Sequence, residues 1–157
     1  RGSVIPLFFQ QAKKGLITIT DKNMTRFNIT LDESIDLVLY ALENSLGNEI
    51  FIPKIPSYRI MDLAKSIGEK CKIKILGIRP GEKIHEEMIT VNDSYNTIEN
   101  SKYYIILPYF KNARINKYLK YYDAKKINKP FSYNSEDNKK FLTIKEIKKL
   151  IQKNISL

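Results

Sequence analysis

The chain has 157 residues, 43% of them apolar, a composition that favours a folded, soluble domain with a hydrophobic core and argues against intrinsic disorder. Its single cysteine and single histidine exclude an internal disulfide framework and a metal cluster built from cysteine and histidine ligands. The net charge of +10 raises nucleic-acid binding as an alternative, but the lysines after residue 110 lie in interrupted runs among Asn and Ile, a pattern typical of a solvated surface.

The first thirty residues predict a helix followed by two extended segments. Pro6 in the first turn and Gly15 at the C′ position bound a helix over residues 6–14. Residues 17–20 form a β-branched run, and residues 24–29 form a second extended segment after a short polar turn. The two extended segments are predicted to pair as a small hairpin.

The next segment carries the signals of an amphipathic helix. Thr30 and Glu33 have the spacing of a capping box, in which each side chain bonds the backbone N–H of the other residue. Apolar residues then recur at helical spacing, and the helix is predicted to end near residues 44–47. The residues on its apolar face are Leu31, Ile35, Val38 and Leu42.

Three further elements come next along the chain. Residues 49–52 have the pattern of a buried strand that ends at Pro53, and Ser57 is the candidate N-cap of a helix over residues 58–67. Residues 72–76 alternate lysine with isoleucine before a leucine, which indicates a strand with one face in water.

The second half has fewer clear signals. After a loop at residues 77–83, a short helix or turn is predicted at residues 84–89 and a strand at residues 103–107. Residues 111–130 have weak periodicity, and a terminal helix is predicted from Thr143. The alternation of short strands with helices favours an α/β or α+β domain over a helical bundle or a β-sandwich.

The loop at residues 77–83 contains the most informative candidate site. Pro80 and Gly81 favour a tight turn, which holds Arg79 and Glu82 at its corners with their side chains able to point to one side. A guanidinium meets phosphate oxygens with two donors and a carboxylate accepts hydrogen bonds from ribose hydroxyls, so the pair suits a nucleoside diphosphate. An exposed Pro-Gly turn with an ordinary surface ion pair explains the same spacing.

Arg26 is a second candidate phosphate ligand. It is flanked by apolar residues in a strand pattern, and burying a guanidinium without a partner costs on the order of several kcal/mol, so its side chain must be paired or reach water. The alternative is an edge-strand arginine paired with Asp32 or Glu33.

The segment formed by Ser3, Val4, Ile5 and Pro6 is a third and weaker candidate. Backbone N–H groups at the start of a helix favour anions, and the apolar residues provide a surface for a flat base. A proline-led helix start also forms without any ligand.

Two dehydrogenase-like patterns receive no functional assignment. Tyr121 with Lys125 matches the Tyr-x-x-x-Lys spacing of short-chain dehydrogenase active sites, but chance matches are expected in a segment this rich in Tyr and Lys, so no catalytic role is assigned. The six glycines are too dispersed to form a Gly-x-Gly-x-x-Gly loop that cradles a pyrophosphate.

Several ordered motifs make the chain resemble a known enzyme family. They are R-G-S-V-I-P-L-F at residues 1–8, I-T-D at 19–21, M-T-R-F at 24–27, E-I-F-I-P-K-I-P at 49–56 and I-R-P-G-E-K-I-H-E at 78–86. This set is similar to the extended short-chain dehydrogenase/reductase family, and within it to the inverting UDP-N-acetylglucosamine 4,6-dehydratases of bacterial pseudaminic-acid and capsule pathways. The segment at residues 131–135, with the terminal helix, favours the pseudaminic-acid branch.

The resemblance implies an α/β fold in which this chain is the carboxy-terminal, substrate-binding portion of a Rossmann-type enzyme. Residues 1–91 would be the nucleotide-sugar-binding portion, and residues 92–157 would be a carboxy-terminal extension that ends in the terminal helix. The likeness covers nearly the whole chain and weakens between about residues 92 and 128.

The same resemblance implies roles for individual residues. Residues 3–6 would line the uridine, Arg26 and Arg79 would hold the diphosphate, and Glu82 would accept a hydrogen bond from the ribose. Thr20 would also contact the nucleotide. The full set of implied UDP-sugar-binding residues is Ser3, Val4, Ile5, Pro6, Thr20, Arg26, Arg79 and Glu82.

In this family the reacting groups belong to an amino-terminal half. The resemblance implies NADP bound mainly by that half, together with a catalytic Tyr, a Lys and an acidic residue, so no catalytic residue and no metal site are expected in this chain. The family reaction oxidises the sugar at C4, eliminates water across C5 and C6 and returns the hydride to C6 with inversion at C5. The chain alone is predicted to be inactive, and the full-length protein to be a homo-oligomer.

The expected location is the cytoplasm. No apolar run is long enough to cross a bilayer, and residues 1–4 have neither an initiator methionine nor the layout of a signal peptide, so we expect a chain cut from a longer protein with neither a membrane nor a nucleic acid as partner. Two alternatives stay open. One is a related UDP-sugar 4-epimerase or another polysaccharide-biosynthesis enzyme of the same family, and the other is a non-enzymatic basic module that binds nucleic acid.

Overall fold

The computed structural model describes residues 4–108 and 115–154, within which six helices and ten strands alternate. These residues form two compact units that interleave along the chain. The first unit contains the described residues up to Asn28, the segment Pro56–Glu86 and the described residues from Ser135 onward. The second unit contains Ile29–Ile55 and the described residues between Glu87 and Asn134.

The first unit is built on a parallel pair of strands covered by helices. Strand β1 (Leu16–Ile19) pairs in parallel with β5 (Lys72–Ile75), and helices α1 (Val4–Ala12), α3 (Ile60–Ile67) and α6 (Ile144–Asn154) complete the layer. Because parallel strands cannot be joined by a hairpin, the chain passes through other elements between them. One core joins the strands and helices, and its buried members are Phe8, Ile17, Ile19, Met24, Ile60, Leu63, Ala64, Leu142, Ile147 and Ile151.

A second, antiparallel pair of strands lies in the same unit. Strand β2 (Thr25–Phe27) pairs with β4 (Ser57–Arg59), so that Arg26 lies opposite Tyr58. The hairpin predicted between residues 17–20 and residues 24–29 is therefore wrong. Local turn signals favour pairing between neighbours in sequence, but beside β5 the isoleucines of β1 are buried to 2% exposure or less, and this burial decides the partner.

The second unit contains a four-stranded antiparallel sheet. Its strand order is β3 (Ile50–Pro53), β8 (Tyr103–Ile106), β7 (Thr97–Glu99) and β9 (Lys125–Lys126). Helix α5 (Ile115–Tyr121) packs at this sheet and contributes a tyrosine to its core. The buried core members are Ile98, Ile105, Leu107, Tyr118 and Tyr122.

Two short strands pair beyond the predicted loop. Strand β6 (Glu87–Ile89) pairs antiparallel with β10 (Tyr133–Asn134), and α4 (Val91–Ser94) begins directly after it. The prediction of a short helix or turn over residues 84–89 is wrong for residues 87–89, which form β6. The partner strand lies more than forty residues away in sequence, so no local pattern indicates the pairing. The short strand at residues 103–107 is confirmed as β8.

Helix α2 (Leu31–Asn44) confirms the predicted capping box. The Thr30 hydroxyl accepts from the backbone N of Glu33 at 3.2 Å, and the Glu33 carboxylate accepts from the backbone N of Thr30 at 2.8 Å. Within the described part of the chain, however, no residue of this helix is buried. Its apolar residues are exposed at Leu31 (76%), Ile35 (48%), Val38 (57%), Leu39 (51%) and Leu42 (76%).

The alternation of strands and helices agrees with the predicted α/β class. The predicted division at residue 91 separates two functional portions of the chain. The compact units combine other segments and do not test this division, so it stays a prediction. Among the described residues, none of the helices combines the length and the apolar character needed to cross a membrane.

Candidate functional site

The candidate site lies where the two parallel strands of the first unit end. The backbone N of Leu76 donates to the Ile19 carbonyl at 2.9 Å, and the backbone N of Gly77 donates to the Thr20 carbonyl at 3.1 Å. These bonds extend the β1–β5 pairing beyond both strands, so the turn after β5 starts beside Thr20. The carboxyl ends of parallel strands are the usual position of ligand sites in α/β folds.

The predicted turn at residues 79–82 forms, and its own side chains fix it. The backbone N of Glu82 donates to the Arg79 carbonyl at 3.0 Å, and the Glu82 carboxylate accepts from the backbone N of Arg79 at 3.3 Å. Gly81 has φ +81°, a left-handed conformation that glycine adopts without strain. Arg79 itself is exposed, so its guanidinium is available to solvent or to a ligand.

Thr20 and Glu82 are in direct contact. The Thr20 hydroxyl donates to Oε1 of Glu82 at 3.1 Å. Together with the bond from the Arg79 backbone to Oε2, this contact holds both carboxylate oxygens of Glu82 in place. Each oxygen keeps a further lone pair for another donor. Two residues predicted to bind the nucleotide thus lie side by side, 62 positions apart in sequence.

Arg26 bridges β2 to the segment that comes after this turn. Its Nη1 donates to the carbonyls of Thr25 at 2.6 Å and Ile84 at 2.9 Å, and its Nη2 donates to the Lys83 carbonyl at 2.9 Å. Its Nε lies 3.6 Å from Oε1 of Glu86. The side chain is 20% exposed, so the expectation that this guanidinium must be paired is met by Glu86.

The hydrogen-bond inventory of Arg26 limits what it can offer a ligand. A guanidinium has five N–H groups. Three of them donate to carbonyl oxygens and the Nε group faces Glu86, which leaves one N–H on Nη2 and the positive charge. Arg26 therefore has one N–H left to offer a ligand, whereas the exposed guanidinium of Arg79 can offer two.

The start of α1 is explained by packing. Val4 and Ile5 are half-buried against the core of the first unit, and Pro6 is exposed in the first turn of the helix. Ser3, the remaining member of this predicted group, lies outside the described residues. The structure thus brings together Thr20 and Glu82, and joins Arg26 to the segment following Arg79, by hydrogen bonds that do not involve residues 4–6.

A buried polar chain runs behind Arg26 and was not predicted. The Thr25 hydroxyl lies 2.8 Å from Nδ1 of His85 and 2.7 Å from the Ser135 hydroxyl, and Ser135 is fully buried. His85 Nε2 lies 3.4 Å from the Glu136 carboxylate. Alternation along β2 explains the arrangement, because adjacent side chains of a strand point to opposite faces. The sequence signal that could have indicated these contacts is the motif at residues 83–86, which contains His85.

The phenol of Tyr58 lies near the Arg26–Glu86 pair. Burial, and secondly the charge of Glu86, raise the pKa of Tyr58 above its ordinary value, while Arg26 opposes this effect. Tyr58 faces Arg26 across the β2–β4 pair. The Tyr58 hydroxyl is therefore neutral at physiological pH.

A cavity of about 320 Å³ lies on the histidine side of β2. It is lined by Lys22, Asn23, Thr25, Arg59, Ile84, His85, Glu136 and Phe141. Among the described residues there is no group of three or more His, Cys, Asp or Glu side chains placed to hold a metal ion.

The described residues do not fit a dinucleotide cofactor. A dinucleotide site needs glycines clustered in one turn between a strand and a helix. Here the glycines with positive φ occur singly, at residues 15, 47, 77 and 81 in separate turns. The described part of the first unit therefore lacks a glycine-rich cradle for a pyrophosphate.

Comparison with known proteins places the chain in a family. The family model described as "Polysaccharide biosynthesis protein" matches residues 1–108. The chain belongs to this family. The match covers every residue predicted to bind the UDP-sugar, and it confirms the predicted extended short-chain dehydrogenase/reductase fold.

Individual relatives agree with this assignment. The chain is 41% identical over 163 residues to the UDP-N-acetylglucosamine 4,6-dehydratase (inverting) of Campylobacter jejuni, covering 96% of this chain and 47% of that enzyme. It is 40% identical over 158 residues to the UDP-glucose 4-epimerase of Rickettsia akari, covering 96% of this chain and 45% of the epimerase. The chain therefore spans slightly less than half the length of the curated relatives that it matches.

A solved structure shares the fold. The X-ray structure of Pen from Bacillus thuringiensis superposes with a TM-score of 0.80 at 34% sequence identity. The alignment covers 98% of this chain and 46% of that chain.

Proposed function

We propose that this chain is the UDP-sugar-binding, carboxy-terminal portion of an enzyme of the inverting UDP-N-acetylglucosamine 4,6-dehydratase type. The family match and the 41% identity to the Campylobacter jejuni dehydratase support this proposal. The two arginines and Glu82 supply the chemistry that a nucleoside diphosphate requires.

The observation that carries the proposal is the contact between Thr20 and Glu82 at the carboxyl ends of β1 and β5. In the proposed complex, the exposed Arg79 guanidinium binds the diphosphate with two donors, and Arg26 adds one hydrogen bond and its charge. Glu82 accepts from a ribose hydroxyl, while Thr20 holds its carboxylate. Residues 3–6 would line the uridine.

The reacting groups would come from elsewhere. NADP, the catalytic residues and the hydride-transfer chemistry would belong to the part of the full-length relatives that this chain does not match, so no catalytic residue is assigned here. Residues 1–91 would act as the nucleotide-sugar portion and residues 92–157 as the extension. The full-length enzyme would be a cytoplasmic homo-oligomer that serves surface-polysaccharide synthesis, in the pseudaminic-acid branch.

A related UDP-glucose 4-epimerase is the second candidate. The 40% identity to the Rickettsia akari epimerase supports it, because that value is within one percentage point of the identity to the dehydratase. Under either candidate the same residues of this chain would bind the UDP-sugar, and the two reactions would differ in the chemical step after hydride abstraction. A chimera that joins the unmatched amino-terminal portion of the Campylobacter jejuni enzyme to this chain tests whether this half supports the dehydratase reaction, and absence of the 4-keto-6-deoxy product from a folded chimera would favour the epimerase.

Calorimetric titration of the purified chain with UDP tests the binding site. We expect saturable binding that Arg79→Ala weakens about 30- to 150-fold, since a two-donor charge-assisted contact contributes about 2–3 kcal/mol. Arg59→Ala is the matched control, because Arg59 is an exposed arginine of the same unit that stacks on Phe141. Absence of UDP binding, or steeply salt-dependent binding to duplex DNA that Arg79→Ala leaves unchanged, would contradict the proposal.

A further inference from the structure

Glu86 is held more firmly than an ordinary surface carboxylate. Its backbone N donates to the Ser135 hydroxyl at 2.9 Å, and its carbonyl accepts from the backbone N of Ser135 at 2.7 Å. Its Oε2 accepts from the backbone N of Phe27 at 3.0 Å, and its Oε1 faces Nε of Arg26 at 3.6 Å. Both the backbone and the side chain of Glu86 are thus fixed by partners distant in sequence.

This carboxylate fixes one edge of the Arg26 guanidinium, and backbone carbonyls fix the other. Glu86 faces the Nε edge of the guanidinium, and the carbonyls of residues 83 and 84 occupy donors on the Nη side. A planar guanidinium bound at both edges has little freedom to rotate. The remaining Nη2 N–H is therefore held in one direction.

We propose that Glu86 is a positioning residue for nucleotide binding. It would hold Arg26 so that its single remaining N–H and its charge are presented to the diphosphate. The inference rests on the proposed function, since it assumes that the ligand of this site carries a diphosphate. Glu86 contacts Arg26 and the backbone of Phe27 and would not itself touch the ligand.

Simple electrostatics predicts the opposite effect, which makes the inference testable. A carboxylate beside a phosphate site repels the anion, so removing its charge should tighten binding if charge were the only factor. Positioning predicts that removal weakens binding, because the Nε edge then loses its partner and the guanidinium can tilt about its remaining bonds to the carbonyls, a motion that binding must restrict. The sign of the change therefore separates the two accounts.

The neighbouring residue offers a matched control. Glu87 is also a carboxylate, but its Oε1 accepts from the Ser132 hydroxyl at 2.6 Å and it belongs to the second unit. Glu86→Gln and Glu87→Gln each remove one negative charge from adjacent positions. Long-range electrostatics treats them alike, whereas positioning affects only Glu86→Gln.

The experiment measures binding of UDP and of uridine to the wild type and both variants by calorimetry at two salt concentrations. We expect Glu86→Gln to weaken UDP binding about fivefold to tenfold, with uridine binding unchanged, and Glu87→Gln to match the wild type. In an Arg26→Met background, Glu86→Gln should have no further effect, because the residue it orients is absent. UDP binding by Glu86→Gln that is equal to or tighter than wild type overturns the inference.

Two outcomes identify where a failure lies. If the wild type does not bind UDP, the proposed function fails and the inference fails with it. If the wild type binds UDP but the Arg26→Met background leaves the Glu86→Gln effect intact, only the positioning role is refuted.

Should Glu86→Gln unfold, Glu86→Asp keeps the charge but shortens the reach, and the ¹⁵Nε–H resonance of Arg26 reports whether the guanidinium is still fixed. If this resonance shows that the guanidinium is mobile in the Asp variant, and the variant still binds UDP with wild-type affinity, the inference is also overturned.

Discussion

Replacing Arg26 by methionine should destabilise the first unit as well as weaken the binding site. The substitution keeps an unbranched apolar stem and removes all five N–H donors. Three hydrogen bonds from the guanidinium to backbone carbonyls are lost. Hydrogen bonds to a charged group contribute about 1.5–3 kcal/mol each, but the individual values do not add.

The expected loss of stability is smaller than the sum of the three hydrogen bonds. The Ile84 carbonyl also accepts from the backbone N of Thr25 at 3.1 Å, and the Glu86 carboxylate keeps its bond from the backbone N of Phe27, so neither group is left without a donor. Water can reach the bond to the Lys83 carbonyl, which is exposed. We therefore expect Arg26→Met to lower the free energy of unfolding by about 2–3 kcal/mol.

Urea unfolding measures this change. With a denaturant dependence of about 2 kcal/mol per M, the midpoint should fall by about 1–1.5 M. Hydrogen exchange should speed up at the Thr25 amide, which bonds the Ile84 carbonyl, while the core amides of the second unit keep their protection. Arg79→Met is the control, since Arg79 is exposed and should change stability by less than about 0.5 kcal/mol. An unchanged midpoint for Arg26→Met would show that the three hydrogen bonds contribute nothing net.

Three further outcomes are expected. Leu63→Ala should cost about 2–5 kcal/mol in urea unfolding because Leu63 is 2% exposed, whereas Leu42→Ser should change stability by less than about 0.5 kcal/mol because Leu42 is 76% exposed. Burial raises the pKa of Glu99, but the hydrogen bond and charge of Lys54 outweigh it, so the pKa lies below its ordinary value of 4.5. This pair stabilises the protein above that pH and its contribution is lost as the pH falls, so Glu99→Gln should lower stability near neutral pH and flatten the acid limb of a stability–pH curve. Burial, and then the charge of Glu49, raise the pKa of Tyr122 to about 12, so stability should fall between pH 10 and 12, and Tyr122→Phe should lessen that fall in denaturant titrations.

Each of these expectations has a contrary result. Equal losses for Leu63→Ala and Leu42→Ser would mean that the exposed face of α2 is covered in solution. An acid limb unchanged by Glu99→Gln would show that the Lys54 contact, at 2.7 Å, is replaced by water at no cost. Spectroscopic titration of Tyr122 near its ordinary pKa would indicate that its hydroxyl is open to water.

Local signals in the sequence predicted several elements and some of their ends, although Ser57, predicted as a helix N-cap, lies in β4, and α3 begins at Ile60. Thr30 with Glu33 predicted the start of α2, because a capping box is formed by residues three apart and needs no distant partner. Pro80 and Gly81 predicted the turn that holds Arg79 and Glu82, since the conformational limits of proline and glycine act within a few residues. Ordered motifs then pointed to the family that the comparisons established.

Partners distant in sequence were decided only by the tertiary structure. Nothing near Arg26 in sequence indicates that its carboxylate partner is Glu86 rather than Asp32 or Glu33, because β4 and the segment at residues 83–86 must first be placed beside β2. For the same reason β1 was predicted to pair with its neighbour and pairs instead with β5. A local sequence pattern indicates which residue types are available for a site. Burial and long-range strand pairing decide which of those residues come into contact, since both depend on segments distant in sequence.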